Sequence, residues 1–161
     1  MAASVPPADV TIRRVERADL LAVVGIERTC FDQPWPYTAF ERFLDEAGFL
    51  VAEDATGLVG YVVSDVTPNY GRDVGHVKDL AVVGEARQRG IGRSLLTRAL
   101  VTLALDGATV VKLEVREGND AAQALYHDVG FRTVRRHPRY YSDGEDALVM
   151  VLDVDEWRRD A

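Results

Sequence analysis

The spacing of apolar residues alternates along the chain between a period typical of strands and a period typical of helices. Short apolar runs bounded by Gly, Asp or Asn predict seven strands. Apolar residues three and four positions apart predict four helices, the longest of which begins near Gly92. The resulting order is βααβββαβαββ. The predicted strands cover residues 10–15, 49–53, 57–64, 76–83, 110–115, 131–136 and 147–152, and the helices cover 19–29, 37–46, 92–106 and 119–129.

The connections between these elements predict how the strands pair. The short turn from Asp54 to Gly57 joins two apolar runs, as in an antiparallel hairpin. Strand–helix–strand connections later in the chain imply parallel pairing. We therefore expect a single α/β domain over residues 1–161, with a mixed sheet of about seven strands and helices on both faces. We expect the first residues, to about residue 8, to be flexible.

Composition limits the function classes. The 161 residues are 47% hydrophobic and 28% charged, which is ordinary for a soluble globular protein. No apolar run approaches the roughly 20 residues that a membrane helix needs, and the N-terminus lacks the pattern of a secretory signal. The single cysteine, Cys30, excludes an internal disulfide, and the net charge of −7 argues against a general nucleic-acid binder. We expect a cytoplasmic protein with neither a membrane nor a nucleic acid as a direct partner.

The junction between the fourth strand and the third helix is a candidate anion site. Its sequence is Arg87-Gln88-Arg89-Gly90-Ile91-Gly92. The first N–H groups of a helix have no intrahelical partner, and glycines let a phosphate approach them closely. A tight turn would also use the two glycines, but the arginines and the strand-loop-helix context favour a phosphate site. The motif lacks the Gly-Lys-Ser/Thr of a P-loop and the third glycine of the dinucleotide fingerprint.

This junction resembles the acetyl-CoA motif of the Gcn5-related N-acetyltransferase (GNAT) superfamily, Arg-x-x-Gly-x-Gly after a strand containing Leu-Ala-Val. The predicted order of elements is also similar to the GNAT fold. The resemblance implies acetyl-CoA as co-substrate and no metal. It further implies that the loop amides hold the pyrophosphate and that the strand backbone pairs with the pantetheine arm. The implied binding residues are Leu80, Ala81, Val82, Arg87, Gln88, Arg89, Gly90, Ile91, Gly92 and Arg93.

Three further residues are candidates for chemistry or for coenzyme binding. Glu114 lies near the carboxyl end of the fifth strand, where ligands of α/β sheets gather, although a solvated polar face would look the same. Tyr126 lies on an apolar helical stripe that by itself favours a core position, and Asn119 fits a helix N-cap. The run from Leu113 to Phe131 resembles the ribosomal-protein alanine (RimI) type of N-terminal acetyltransferase. That resemblance implies Glu114 as general base, Tyr126 as general acid, and Asn119 and Tyr126 as coenzyme A contacts.

A second segment, Tyr-Tyr-Ser-Asp-Gly-Glu-Asp-Ala, resembles the archaeal and eukaryotic Ard1 type of N-terminal acetyltransferase. It implies that Tyr140 and Tyr141 hold the N-terminal residues of the substrate, and we expect the Pro34-Trp35 loop to shape the pocket for its first residue. His76 occupies the position of a histidine proposed to work with a loop glutamate in archaeal enzymes. This chain lacks that glutamate, so His76 is a secondary catalytic candidate.

Together the resemblances imply a protein N-alpha-acetyltransferase. It would transfer acetyl from acetyl-CoA to the α-amine of a protein N-terminus by direct attack, without a covalent enzyme intermediate. A GNAT enzyme that acetylates a small amine and a non-catalytic acyl-CoA-binding module are the alternatives. The acceptor, a ribosomal-protein alanine or a nascent chain, and the need for an auxiliary subunit stay open.

Overall fold

Seven strands form one mixed sheet in the computed structural model, which describes residues 3–160. The strand order is β1-β2-β3-β4-β5-β7-β6, and only the β4–β5 pair is parallel. The prediction of a seven-stranded mixed sheet is therefore confirmed. The strands are β1 Thr11–Arg14, β2 Leu50–Asp54, β3 Gly57–Thr67, β4 Asp73–Val82, β5 Ala108–Arg116, β6 Arg132–His137 and β7 Ala147–Asp153.

Helices cover both faces of the sheet, as predicted. On one face, α1 and α2 pack around Phe40, Phe49 and Tyr61. On the other face, the apolar stripe of α3 packs on the sheet, joined by residues of α4 and α5. Each face of the sheet therefore has its own hydrophobic core. The helices are α1 Leu20–Cys30, α2 Tyr37–Glu41, α3 Ile91–Leu105, α4 Asp120–Val129 and α5 Val154–Asp160.

Two helical predictions need correction. The predicted helix over 37–46 is wrong beyond Glu41, because the chain continues in tight turns with i→i+3 bonds, such as Phe43 N–H to Phe40 at 3.0 Å. The second correction is α5, which the sequence pattern did not predict. It is short and rich in charge, and it is held by packing of Val154 and Trp157 on the core.

The N-terminal segment has no regular structure before β1, although the Ser4 N–H donates to Thr97 Oγ1 at 2.8 Å. Residues 1 and 2 lie outside the described part of the chain. Flexibility of the first eight residues stays a prediction.

The two central strands separate partway along their length. The β4–β5 pairing ends at His76 and Lys112, yet β4 runs on to Val82 and β5 to Arg116. Beyond this point β5 stays paired with β7 and β4 with β3. The separation opens a cleft in the middle of the sheet, at the carboxyl ends of both strands, where ligands of α/β sheets gather.

Candidate active site

A pocket of about 480 Å³ lies in this cleft. It is lined by the end of α1 and the following loop on one side, by β4 and β5, and by α4 and the β6–β7 loop on the other side. A second pocket of about 420 Å³ shares Trp35, Glu114 and Tyr141 with the first and extends toward α2. The two pockets form one continuous depression with Glu114 at their junction.

Glu114 and His76 face each other across the two parallel strands. His76 Nε2 lies 2.8 Å from Glu114 Oε2, and both side chains are mostly buried, with exposed fractions of 21% and 15%. Period-2 alternation puts Glu114 on the face toward α1 and α2, because Leu113 and Val115 point into the opposite core. The structure therefore brings together two residues that the sequence analysis treated as competing candidates.

The surroundings of Glu114 favour its ionised form. Burial raises the pKa of its carboxyl, but the hydrogen bond to His76 and the charges of Lys112 and Lys78 outweigh burial and lower this pKa below its ordinary value. These are the two lysines of the chain, since the other basic residues are arginines. At neutral pH the cleft therefore contains a carboxylate that can accept a proton.

Tyr126 reaches the same cleft from α4. Its side chain is buried, with 9% of its surface exposed, and its ring packs edge-to-face on Phe131 with centroids 5.9 Å apart. Burial raises the pKa of its phenol, and the charge of Asp79 adds to this. The hydroxyl is therefore protonated at neutral pH and able to donate a proton. The burial of Tyr126 agrees with the core position that the apolar stripe indicates. Its place in the pocket lining is compatible with the predicted role as general acid.

The glycine loop offers backbone groups rather than free arginines. Gly90 is the N-cap of α3 with φ of +82°, a conformation that glycine adopts without strain, and nothing would lie within 4 Å of an added Cβ. The helix N-terminus is thus open to an anion. Arg87, however, donates to the Val82 carbonyl at 3.0 Å, Arg89 binds Asp9 at 2.7 Å, and Arg93 pairs with Asp128.

The β4 backbone presents hydrogen-bonding groups to the cleft. The Val83 N–H donates to Val59 of β3 at 2.9 Å, and hydrogen-bonding positions alternate along an antiparallel pair. The backbone groups of Leu80 and Val82 therefore point away from β3, toward the separation, whereas those of Ala81 point to β3. Consistent with this, the Val82 carbonyl accepts a hydrogen bond from the Arg87 guanidinium instead of from a backbone N–H of β3.

Asn119 caps α4, because its side-chain oxygen accepts from the Ala122 N–H at 3.1 Å. It also lines the cleft pocket. Of the predicted coenzyme residues, Leu80, Asn119 and Tyr126 line this pocket. The others lie outside its lining: Ala81 and Val82 at the end of β4, and residues 87–93 in the loop before α3 and in its first turn.

Two loops face each other across the mouth of the cleft. Tyr140 and Tyr141 stack edge-to-face with centroids 5.0 Å apart, and burial raises the pKa of Tyr141 to about 12. Opposite them, Trp35 lines both pockets, whereas Pro34 is exposed and lines neither. Ser142 Oγ donates to Gln33 Oε1 at 2.6 Å, which joins the two loops directly.

Sequence reasoning missed a cluster on the floor of the cleft. Tyr61 donates its hydroxyl to the carboxylate of Glu27, and its oxygen lies 3.3 Å from Asp79 Oδ2. Glu27 Oε2 also accepts the Trp35 N–H at 2.8 Å. The sequence held one signal for this cluster: Glu27 continues the apolar stripe of α1 at helical spacing, where a carboxylate is out of place.

Residues 3–160 contain neither a cluster of metal ligands nor a helix that could span a membrane. No group of three or more His, Cys, Asp and Glu side chains is arranged to hold a metal ion among them. Among the same residues, none of the helices has both the length and the apolar character that crossing a membrane requires.

Comparison with known proteins gives a consistent result. The sequence profile of the acetyltransferase (GNAT) family matches residues 20–131. The N-alpha-acetyltransferase RimI of Mycobacterium tuberculosis is 41% identical over 152 residues, which cover 89% of this chain and 92% of the relative.

Solved structures share the architecture. Ard1 from Thermoplasma volcanium superimposes with a TM-score of 0.83 at 28% identity, over 91% of this chain and 98% of that one. A subunit of the NatC complex bound to Gag peptide and CoA has a TM-score of 0.84 at 22% identity, over 90% of this chain and 98% of that one. The latter likeness concerns the fold alone.

Proposed function

This chain belongs to the GNAT acetyltransferase family, and from that premise we propose that it is a protein N-alpha-acetyltransferase. It transfers the acetyl group of acetyl-CoA to the α-amine of a protein N-terminus. The observation that carries the proposal is the convergence in one cleft of Glu114 with His76, of Tyr126, and of the paired tyrosines at its mouth.

The acetyl donor is assigned to the open edge of β4 and the N-terminus of α3. An anion is stabilised at a helix N-terminus, and Gly90 leaves the first amides of α3 accessible. The backbone groups of Leu80, which point away from β3, suit the amide groups of a pantetheine arm, whereas the Val82 carbonyl already accepts from Arg87. Because the loop arginines are engaged in contacts within the protein, the amides rather than the guanidinium groups would carry most of the phosphate binding.

The proposed reaction needs one base and one acid. An α-amine has a pKa of about 7.7–8.0, so Glu114, directly or through a water, takes a proton from the ammonium form. The amine nitrogen then bonds to the thioester carbonyl carbon, and the backbone N–H of Val82 stabilises the oxyanion. The C–S bond breaks as the Tyr126 hydroxyl gives its proton to the thiolate. The nitrogen releases its second proton through solvent, which restores the tyrosine, and Glu114 returns its proton to solvent, so that one proton is released in each turnover. No covalent bond to the enzyme forms.

The two alternatives explain less of the structure. A small amine does not need two loops that meet across the mouth of the cleft, as Ser142 and Gln33 do. A non-catalytic acyl-CoA-binding module does not need a carboxylate held by a histidine in the cleft. The protein N-terminus is therefore the acceptor that the geometry favours.

Labelled acetyl-CoA tests the proposal. The protein is incubated with peptides that begin with Ala, Ser or Met, with the same peptides blocked at the α-amine, and with spermidine and free alanine. We expect transfer to free peptides alone, with Glu114→Gln as the inactive control. Transfer only to the small amines, or binding of acetyl-CoA without any transfer, would overturn the proposal.

The proposal extends to the acceptor, the cellular compartment and the partners of the enzyme. The acceptor is a ribosomal protein or a nascent chain, the enzyme works in the cytoplasm without a metal, and it acts alone or with an auxiliary subunit. Pull-down of the tagged protein from its own cells, followed by identification of acetylated N-termini in a deletion strain, distinguishes the acceptors and any subunit.

A further inference from the structure

The floor of the cleft contains two acids that the proposed mechanism does not use. Glu27 is 2% exposed at the end of α1, and Asp79 lies on β4, partly open to the cleft pocket. Tyr61 lies between them, donating its hydroxyl to Glu27 and lying 3.3 Å from Asp79. Two carboxyl groups therefore share one small buried site next to the place where acetyl transfer is proposed.

The part of the chain that the structure describes supplies this pair with no ion-pair partner. No salt bridge in residues 3–160 joins Glu27 or Asp79 to a basic side chain. Lys78, which precedes Asp79 on β4, lies over the Phe43 ring, 5.4 Å from its centroid, and 3.8 Å from Asp65. Burial and the neighbouring Glu27 raise the pKa of Asp79 well above its ordinary range, because two carboxylates in one small buried site repel each other.

A buried negative charge with no positive charge beside it is costly, and groups with strongly shifted pKa values cluster at functional sites. Tyr61, whose hydroxyl contacts both acids, belongs to the apolar core that also contains Phe40 and Phe49. The open side of the pair faces the cleft. A cation of the size of an ammonium group would offset the charge of the pair.

We propose that Glu27 and Asp79 form the subsite that recognises the α-ammonium of the acceptor. The inference rests on the proposed function, because it takes a protein N-terminus as the ligand of the cleft. Asp79 contacts the ammonium from the floor, and Glu27 supplies the negative charge behind it. Glu114, on the neighbouring strand, is then left for proton transfer.

Glu27 links this recognition to the loop that would hold the first residue. Its second oxygen accepts the Trp35 N–H at 2.8 Å, and the Trp35 ring packs on Phe40 and Phe43 at 5.3 and 5.9 Å. The Glu27 carboxylate therefore positions Trp35 in the pocket lining and also contributes an acidic group to that lining. A free N-terminus is selected by both at once.

The test compares two probes, a peptide that begins with Ala and its desamino counterpart, in which hydrogen replaces the α-amine. Binding is measured by calorimetry with CoA present, so that no chemistry occurs. We expect the wild-type protein to bind the amine peptide at least about tenfold more tightly, and Asp79→Asn to reduce this preference to about twofold or less. In turnover assays Asp79→Asn should raise the peptide KM far more than it lowers kcat.

Glu27→Gln is the second variant, because its amide oxygen can still accept the Trp35 N–H while the charge is lost. Like Asp79→Asn, it should lose the preference for the amine peptide over the desamino peptide. Asp65→Asn makes the same chemical change on β3 outside the pocket lining, and it should keep the wild-type preference. Thermal melting confirms that each variant is folded.

The outcomes separate the two proposals. If the wild-type protein acetylates peptides but both variants keep the full preference for the amine, the ammonium subsite is overturned and the proposed function stands. If the wild-type protein acetylates no peptide, both are overturned.

Discussion

At the scale of single residues, the chemistry proposed for the cleft depends on the pairing of His76 with Glu114. Alone, Glu114 would be a half-buried carboxyl with a raised pKa, and the imidazole at 2.8 Å reverses this with help from two lysines. We therefore propose that His76 is a positioning residue. It orients the carboxylate and keeps it ionised, while Glu114 contacts the reacting amine in the proposed mechanism.

Removal of the imidazole should shift the pH dependence of the reaction. Because His76 lowers the pKa of Glu114, that pKa should rise in His76→Ala, and the carboxylate is then fully ionised only at higher pH. The acid limb of the kcat/KM profile should move to higher pH. Glu114→Gln should remove this limb and lower kcat by about 10²–10⁴-fold.

His127→Ala, which changes an exposed histidine of α4, is the matched control and should leave the profile unchanged. An unshifted acid limb in His76→Ala would refute the positioning role.

At the scale of elements, β5 supports both Glu114, the proposed general base, and the β6–β7 loop at the mouth of the cleft. Two positions beyond Glu114, the guanidinium of Arg116 binds Asp143 at 2.9 Å and Glu145 at 2.8 Å. It also lies over the Tyr141 ring at 4.0 Å from its centroid. The strand therefore fixes the β6–β7 loop against the site.

Loss of this support should weaken acceptor binding selectively. Arg116→Met keeps the length of the side chain but loses two ion pairs and the contact of its charge with the ring, worth about 1–2 kcal/mol together. The peptide KM should rise by about tenfold, and the KM for acetyl-CoA should change by less than about twofold. Steady-state kinetics with each substrate varied in turn makes the measurement.

Arg136→Met offers a comparison, since Arg136 also pairs with acids of this region, Glu117 and Asp146, but is exposed. It should leave both KM values near wild type. Equal increases for both substrates in Arg116→Met would mean that the strand itself was disturbed.

At the scale of the whole molecule, charge acts on stability in two opposite directions. Partners lower the pKa of several carboxyls: Arg13 acts chiefly on Asp19, Arg116 on Glu145, and the Arg139 N–H on Asp146. A lowered folded-state pKa adds stability above the unfolded value, and this stability is lost as pH falls through the folded value. Asp79 has a raised pKa, so it costs stability as pH rises above its ordinary value of 3.8.

Urea unfolding at several pH values should reveal both effects. The wild-type protein should lose stability on acidification below the ordinary carboxyl values of 3.8–4.5, as the lowered groups become protonated. Asp79→Asn should be more stable than wild type at about pH 8, and the difference should shrink as the pH falls and disappear only well below 3.8, where Asp79 is protonated in both states. A variant that is less stable at pH 8 would contradict the raised pKa of Asp79.

The sequence by itself determined the order of elements, the mixed sheet and most helix boundaries, because apolar periodicity and glycine turns are local properties. It also singled out Glu114, Tyr126, Asn119 and the glycine loop, through motifs that are continuous in the chain. It failed at α2 and α5, since tight turns after Glu41 and packing of Trp157 depend on neighbours from distant segments. Only the tertiary structure decided that His76 meets Glu114, 38 positions away, because this contact follows from where β4 and β5 separate. The same holds for Glu27, Tyr61 and Asp79. They come from three different elements, and no local pattern indicates that burial brings their carboxyl and hydroxyl groups together.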